Sequence, residues 1–176
     1  MAISIGTVSY AAAATAFLFF SVLLVTTWRG RLQGMLLAVA CLGTALWAGV
    51  AAYLAARPNA AMLAAEVLEV LRSAVWFAFL MVLLGYSRKA VRPLRRAAVG
   101  LAVSCAVVLA ATLYSGVASA PRAETLGILG RLVLAVIGIV LVELLYRNLQ
   151  PQQRWGIKFL CLGLGAMFAY DFYLYS

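Results

Sequence analysis

The 176-residue chain contains no histidine, and only 11% of its residues are charged. Without an imidazole there is no bis-histidine haem, no histidine-based metal site and no histidine base to activate a nucleophile. Ordinary globular domains carry roughly 25% charged residues, so this chain has too few polar side chains to cover a water-exposed surface. Acid is scarcest, with five Asp and Glu against 14 Lys and Arg and a formal net charge of +9. The three cysteines, Cys41, Cys105 and Cys161, each lie inside an apolar run, and none belongs to a CxxC pair. They point to neither a disulfide framework nor a standard zinc spacing. A three-thiolate site is their functional reading and small packing side chains the plainer one. No metal, cofactor or catalytic residue is expected.

Apolar sequence fills the space. The chain is 66% hydrophobic, with a mean hydropathy of +1.05. Runs of about 20 apolar residues recur, each long enough to cross a hydrocarbon core about 30 Å thick. They predict an all-α fold, a polytopic transmembrane helix bundle forming one domain over residues 1–176. Its six spans fall at about 8–28, 33–56, 62–86, 97–117, 126–146 and 156–175. Pro58, Pro93, Pro121 and Pro151 are assigned to the connections, which leaves the spans unbroken. Unbroken spans weaken the signature of many secondary transporters. Residues 1–7 lack Lys and Arg, and the first run is long enough to stay as a span rather than a cleaved signal peptide.

Basic residues cluster between the spans, where topology places them, so the positive charge argues against nucleic acid as a partner. Arg29 and Arg31 follow the first span, and Arg88, Lys89, Arg92, Arg95 and Arg96 follow the third. Arg147, Arg154 and Lys158 flank the turn between the fifth and sixth, which makes ten on one side; Arg57 and Arg122 alone mark the other. Lys and Arg favour cytoplasmic loops, so the N-terminus is expected outside. Aromatic rings favour the same boundaries: Trp28, Tyr86, Tyr146 and Trp155 inside, and Tyr10, Tyr53, Tyr114, Tyr173 and Tyr175 outside. Trp47 and Trp76 lie deeper, as packing or pocket residues. Six spans return Ser176 to the outside, so a seventh helix and a longer parent chain are expected. The run at 88–96 has two readings, attraction of anionic lipid and simple topology determinant.

The third span carries unusual chemistry for lipid. Glu66, Glu69, Arg72, Ser73 and Trp76 share an arc of roughly 120° at about 100° per residue. Glu69 and Arg72 are three apart and can pair along the helix. Arg131 lies about two turns into the fifth span and Asp171 about one turn from the end of the sixth. Intramembrane charge costs roughly 2.5–3.5 kcal/mol per residue and normally faces the protein interior. Together Glu66, Glu69, Arg72, Arg131 and Asp171 define a candidate polar pocket open to the outer side, able to bind a ligand or sense a proton. The alternative is a set of interhelical ion pairs that fixes packing. Glu143 lies four residues before Arg147 and is expected to pair with it on the helix surface. The spacings Thr44–Ala48–Ala52 and Ala45–Gly49, with Gly163 and Gly165, suit close helix contact.

The segment 142–176, VELLYRNLQPQQRWGIKFLCLGLGAMFAYDFYLYS, resembles the N-terminal membrane region of sensor histidine kinases associated with the exosortase/PEP-CTERM sorting system (PrsK type). Glu143, Tyr146, Arg147, Asn148, Arg154, Trp155, Lys158, Tyr170 and Asp171 carry the likeness, and LRSAVWFAF in the third span is similar too. The resemblance covers about a quarter of the chain. It implies a multi-span sensor in the bacterial inner (cytoplasmic) membrane, followed by cytoplasmic kinase domains of the same parent chain. A response regulator is the implied downstream partner and a second copy of the chain a candidate one. The acceptor histidine and nucleotide site of such kinases are absent from these 176 residues. The expected function is therefore the input module of a two-component sensor kinase, working by helix repacking. A small transporter or channel-like protein using the intramembrane charges as a substrate path, and a membrane scaffold without ligand, are the alternatives.

Overall fold

A segment in lipid must satisfy its own backbone hydrogen bonds, which an α-helix does without help from a neighbour. The computed structural model describes residues 5–27, 30, 32–57, 63–87, 91–118, 121–148 and 151–176, with side chains described for all of these except 86, 87, 91–95, 116–118, 121–124 and 151–156. Among the described residues there are six helices and no strand. They are α1 (Ile5–Thr26), α2 (Leu32–Ala56), α3 (Leu63–Ser87), α4 (Val91–Ala118), α5 (Pro121–Asn148) and α6 (Pro151–Tyr175). At about 1.5 Å per residue even the 22-residue α1 is about 33 Å long. All six contain a stretch long and apolar enough to cross a membrane. The architecture is the all-α, multi-span one that the apolar runs predict.

Three helices begin earlier than the apolar spans do. α4 starts at Val91, α5 at Pro121 and α6 at Pro151, five or six residues ahead of the hydrophobic boundary. This corrects the assignment of the prolines to connections. Pro121 and Pro151 open their helices and Pro93 sits in the first turn of α4; Pro58 lies outside the described residues. A first-turn N–H has no intrahelical acceptor, and the fixed φ of proline already suits a helix, so these positions cost nothing. Trp28, Arg29, Arg31, Arg88 and Lys89 lie outside the described residues. So do the side chains of Tyr86, Arg92, Arg95, Arg122, Arg154 and Trp155.

The chain divides into two compact units, Met1–Phe79 and Leu80–Ser176, with α3 beginning in the first and ending in the second. In the first, α1 lies along α2. The buried face of α2 is built from small side chains, Ala38, Ala40, Cys41, Thr44, Ala45 and Ala48, which let backbones approach closely. Ser21 Oγ of α1 donates to the Ala38 carbonyl of α2 at 3.1 Å. In the link after α1, Gly30 holds φ at +75°, a left-handed conformation that a Cβ disfavours.

In the second unit α5 packs against both α4 and α6. Its glycines set the closeness. A Cβ built at Gly138 would lie 2.5 Å from the Phe168 ring of α6, and one at Gly130 would lie 2.7 Å from Val108 of α4. Neither glycine stands out in the sequence as a contact. Gly49, Gly163 and Gly165 are the expected ones, yet a Cβ at Gly49 or Gly163 meets nothing within 4 Å, and one at Gly165 meets only Val142 at an ordinary 3.9 Å. Gly163 is exposed on α6, so its small size is not used within this unit. Hydroxyls bond back along their own helices, Thr15 to Ala11, Thr44 to Ala40, Ser73 to Glu69, Ser104 to Gly100 and Thr112 to Val108. That satisfies them without a partner helix.

Candidate functional site

Within the first unit the charged arc of α3 is withdrawn from the surface. Arg72 is 3% exposed, Ser73 7%, Glu69 9% and Trp76 3%, while Glu66 one turn further out is half-buried. The opposite side of α3 shows an exposed strip of Ala64, Leu71 and Ala78, spaced seven residues apart. The helix is therefore buried over most of its circumference. Its charge faces inward, as the cost of intramembrane charge requires.

Aromatic rings receive that charge. The Arg72 guanidinium carbon lies 4.2 Å from the centroid of the Trp47 ring of α2, within the range of a cation–π contact. Tyr10 of α1 meets Trp47 edge-on, with centroids 5.8 Å apart and planes at 89°. Trp76 Nε1–H donates to Thr44 Oγ1 at 3.0 Å, and the Thr44 hydroxyl donates in turn to the Ala40 carbonyl at 2.8 Å. Trp76 in turn stands edge-on to Phe79 at 5.9 Å. A chain of contacts thus runs from Arg72 of α3 through Trp47 of α2 to Tyr10 of α1. The sequence places Tyr10 at the interfacial belt; the structure gives it a half-buried ring against Trp47. Nothing local in the sequence marks this pairing, because it depends on how α1 and α2 are matched.

A second, similar arrangement lies in the other unit. Asp171 of α6 is 6% exposed. Arg131 of α5 is half-buried, its guanidinium carbon 5.8 Å from the Tyr175 ring centroid. Tyr175 follows Asp171 by four residues and shares its helix face, so Arg131 addresses the side of α6 that carries the acid. That i, i+4 spacing was the available signal for Tyr175, which the sequence assigns to the belt. The inner Nε atoms of Arg72 and Arg131 are buried without an acceptor. Each guanidinium is nonetheless engaged, as are Glu66, Glu69 and Asp171.

The five residues of the expected pocket therefore divide between the units, Glu66, Glu69 and Arg72 in one and Arg131 and Asp171 in the other. The residues that carry the family likeness are mostly peripheral. Glu143 and Arg147 form an ion pair at 2.7 Å with both side chains more than half exposed, a geometry that contributes little stability. Tyr146, Lys158 and Tyr170 are exposed, and Asn148 Nδ2 donates to the Leu144 carbonyl at 2.6 Å. At the far ends of the helices Arg57 donates to the Tyr53 hydroxyl at 2.9 Å and lies over its ring. Tyr114 and Tyr173 are 64% and 78% exposed, as interfacial rings are. Cys41 and Cys161 are buried and Cys105 half-buried, all as free thiols. Among the described residues no three Cys, Asp or Glu side chains converge as a metal site would.

These features define a multi-pass helical membrane protein in which Arg72, buried, and Arg131, half-buried, lie over aromatic rings. A scan of protein-family models and searches of curated proteins and of solved structures each find nothing that matches the chain.

Proposed function

We propose that the chain is the membrane-embedded input module of a two-component sensor histidine kinase of the bacterial inner membrane. It passes its signal by a change in helix packing to cytoplasmic kinase domains of the same parent chain, and through them to a response regulator. A homodimer is part of the proposal. The reading is supported by the resemblance of residues 142–176 and, above all, by the buried Arg72 on Trp47. A ligand or proton that draws Arg72 away from this ring releases Trp47 and with it the Tyr10 contact to α1. Such a switch responds only to a ligand that binds its two states with different affinity.

The coding sequence downstream of Ser176 is the first test. A further helix and then a soluble kinase module agrees with the proposal, and a stop codon overturns it. Orientation is tested separately with alkaline phosphatase fusions, which are active only outside the cytoplasm. A fusion within 88–96 is expected to be inactive and one after Ser176 active, since ten basic residues mark one side against two.

The second reading, a small transporter or channel-like protein, draws on a different observation, the Arg131 and Asp171 charges of the other unit. Solute flux into vesicles that disappears in Asp171→Asn favours it over the sensor.

A further inference from the structure

Two arginines of the first unit lie over rings, and they do so differently. Arg57 covers Tyr53 of its own helix, four residues away, on an exposed surface. Arg72 is buried and reaches from α3 to the Trp47 ring of α2, 4.2 Å from its centroid. The indole is the ring that attracts a cation most, and the attraction grows where water is excluded. Trp47 and Tyr10, which meets it edge-on, are only half-buried. Part of this aromatic surface therefore stays open while the cation resting on it is enclosed.

Charge at this place leans to acid. Helices α1 and α2 carry no charged residue, and α3 as far as Phe79 carries Glu66, Glu69 and Arg72. Both acids lie between Arg72 and the first turn of α3, Glu69 buried and Glu66 half-buried. All three groups are engaged, yet the three helices sum to one negative charge. We propose that the Trp47 ring is the binding site of an organic cation, a guanidinium or alkylammonium group, and that Arg72 is the built-in occupant which such a ligand displaces. Long side chains on a helix lean toward its N-terminus, so a displaced Arg72 stays on the arc of Glu69 and Glu66. Two acids then serve two cations, and no buried carboxylate is left alone, which would be costly. The inference deepens the sensor reading by naming the class of stimulus, and it rests on Arg72 as the part that moves.

The test uses the intact chain in micelles of an uncharged maltoside detergent, because choline headgroups would themselves compete for the ring. Binding is followed by saturation-transfer NMR during titration with butylguanidinium, or with butylurea, its neutral counterpart of similar shape. Butylguanidinium is expected to saturate at on the order of millimolar, since it competes with a tethered group whose effective concentration lies in that range. Butylurea should not saturate. W47L should weaken butylguanidinium by on the order of tenfold, and W47F, which keeps a less attractive ring, by less. Should W47L fail to fold, W47F carries the comparison. Y53L, which removes the exposed ring beneath Arg57, should leave the affinity unchanged. Absence of saturable binding in the wild-type chain, or equal binding of butylurea, overturns the proposal whatever the variants do. Affinity unchanged in the Trp47 variants, or lost equally in Y53L, also overturns it. A stop codon after Ser176 removes the kinase reading and leaves cation binding untouched, whereas failed binding leaves the kinase reading to another stimulus.

Discussion

Helices α1 and α3 are about equally apolar and nearly equal in length, yet they occupy opposite environments. Ser21 is the one buried residue of α1. In α3 the buried set includes Glu69, Val70, Arg72, Ser73, Trp76, Phe77, Phe79, Leu80, Met81 and Leu84. Hydrophobicity does not separate them, and in lipid it has no reason to, because a hydrocarbon tail solvates leucine as well as a protein core does. The two differ in what lipid does not tolerate. α1 has no charged residue between Ile5 and Thr26, whereas α3 carries Glu66, Glu69 and Arg72 on one arc. Charge turns that arc inward, and the apolar residues beside it follow. The comparison teaches that in this protein polar residues sort the helices and apolar ones fill in around them.

The largest break in that contrast comes from Arg72→Ala. It removes the stack on Trp47 and leaves Glu69 buried without the neighbouring cation, a change of the kind that costs about 3–5 kcal/mol. Folded yield in detergent should fall severely, and E69Q/R72Q should recover much of it. Wild-type yield from Arg72→Ala alone would mean that the charge does not organise α3. Gly138→Ala should cost about 1–3 kcal/mol by overpacking against Phe168, while Gly163→Ala, with open space around it, should leave the thermal midpoint unchanged. Similar losses at both would show that α5 and α6 do not meet as described.

Much of this was legible beforehand, for definite reasons. The six helices follow from run length against bilayer thickness, and the inward arc of α3 follows from the 100° step and the cost of bare charge. The partners of that arc were not legible. Trp47 lies 25 residues from Arg72, Thr44 lies 32 from Trp76 and Tyr10 lies 37 from Trp47, and only helix packing brings such positions together. The glycine contacts failed for a related reason. Gly163 and Gly165 have the composition of a contact, but Gly130 and Gly138 face the large side chains that need room. Early helix starts at Val91, Pro121 and Pro151 were hidden because hydropathy reports where lipid begins, not where a helix does.

Smaller effects sharpen the same contrast. A double-mutant cycle of Trp76→Phe and Thr44→Val removes the hydrogen bond between α3 and α2 and should report a coupling of about 0.6 kcal/mol, the usual value for such bonds in membranes. Zero coupling would mean that the 3.0 Å contact adds no stability. On α1, Phe19→Leu and Val22→Leu exchange one lipid-facing side chain for another and should shift stability by less than about 0.5 kcal/mol. A larger loss would reveal a protein surface against that face.

Lipid access along the two helices is the most direct measurement. In a background of C41A/C105A/C161A, single spin-labelled cysteines are placed along α1 and α3 and their collisions with oxygen dissolved in the bilayer are recorded. The account predicts high access around α1, dipping near Ser21, and on α3 a seven-residue rhythm with maxima at Ala64, Leu71 and Ala78 and minima at Glu69, Arg72 and Trp76. Uniformly high access along α3, or maxima at the charged arc, would contradict it.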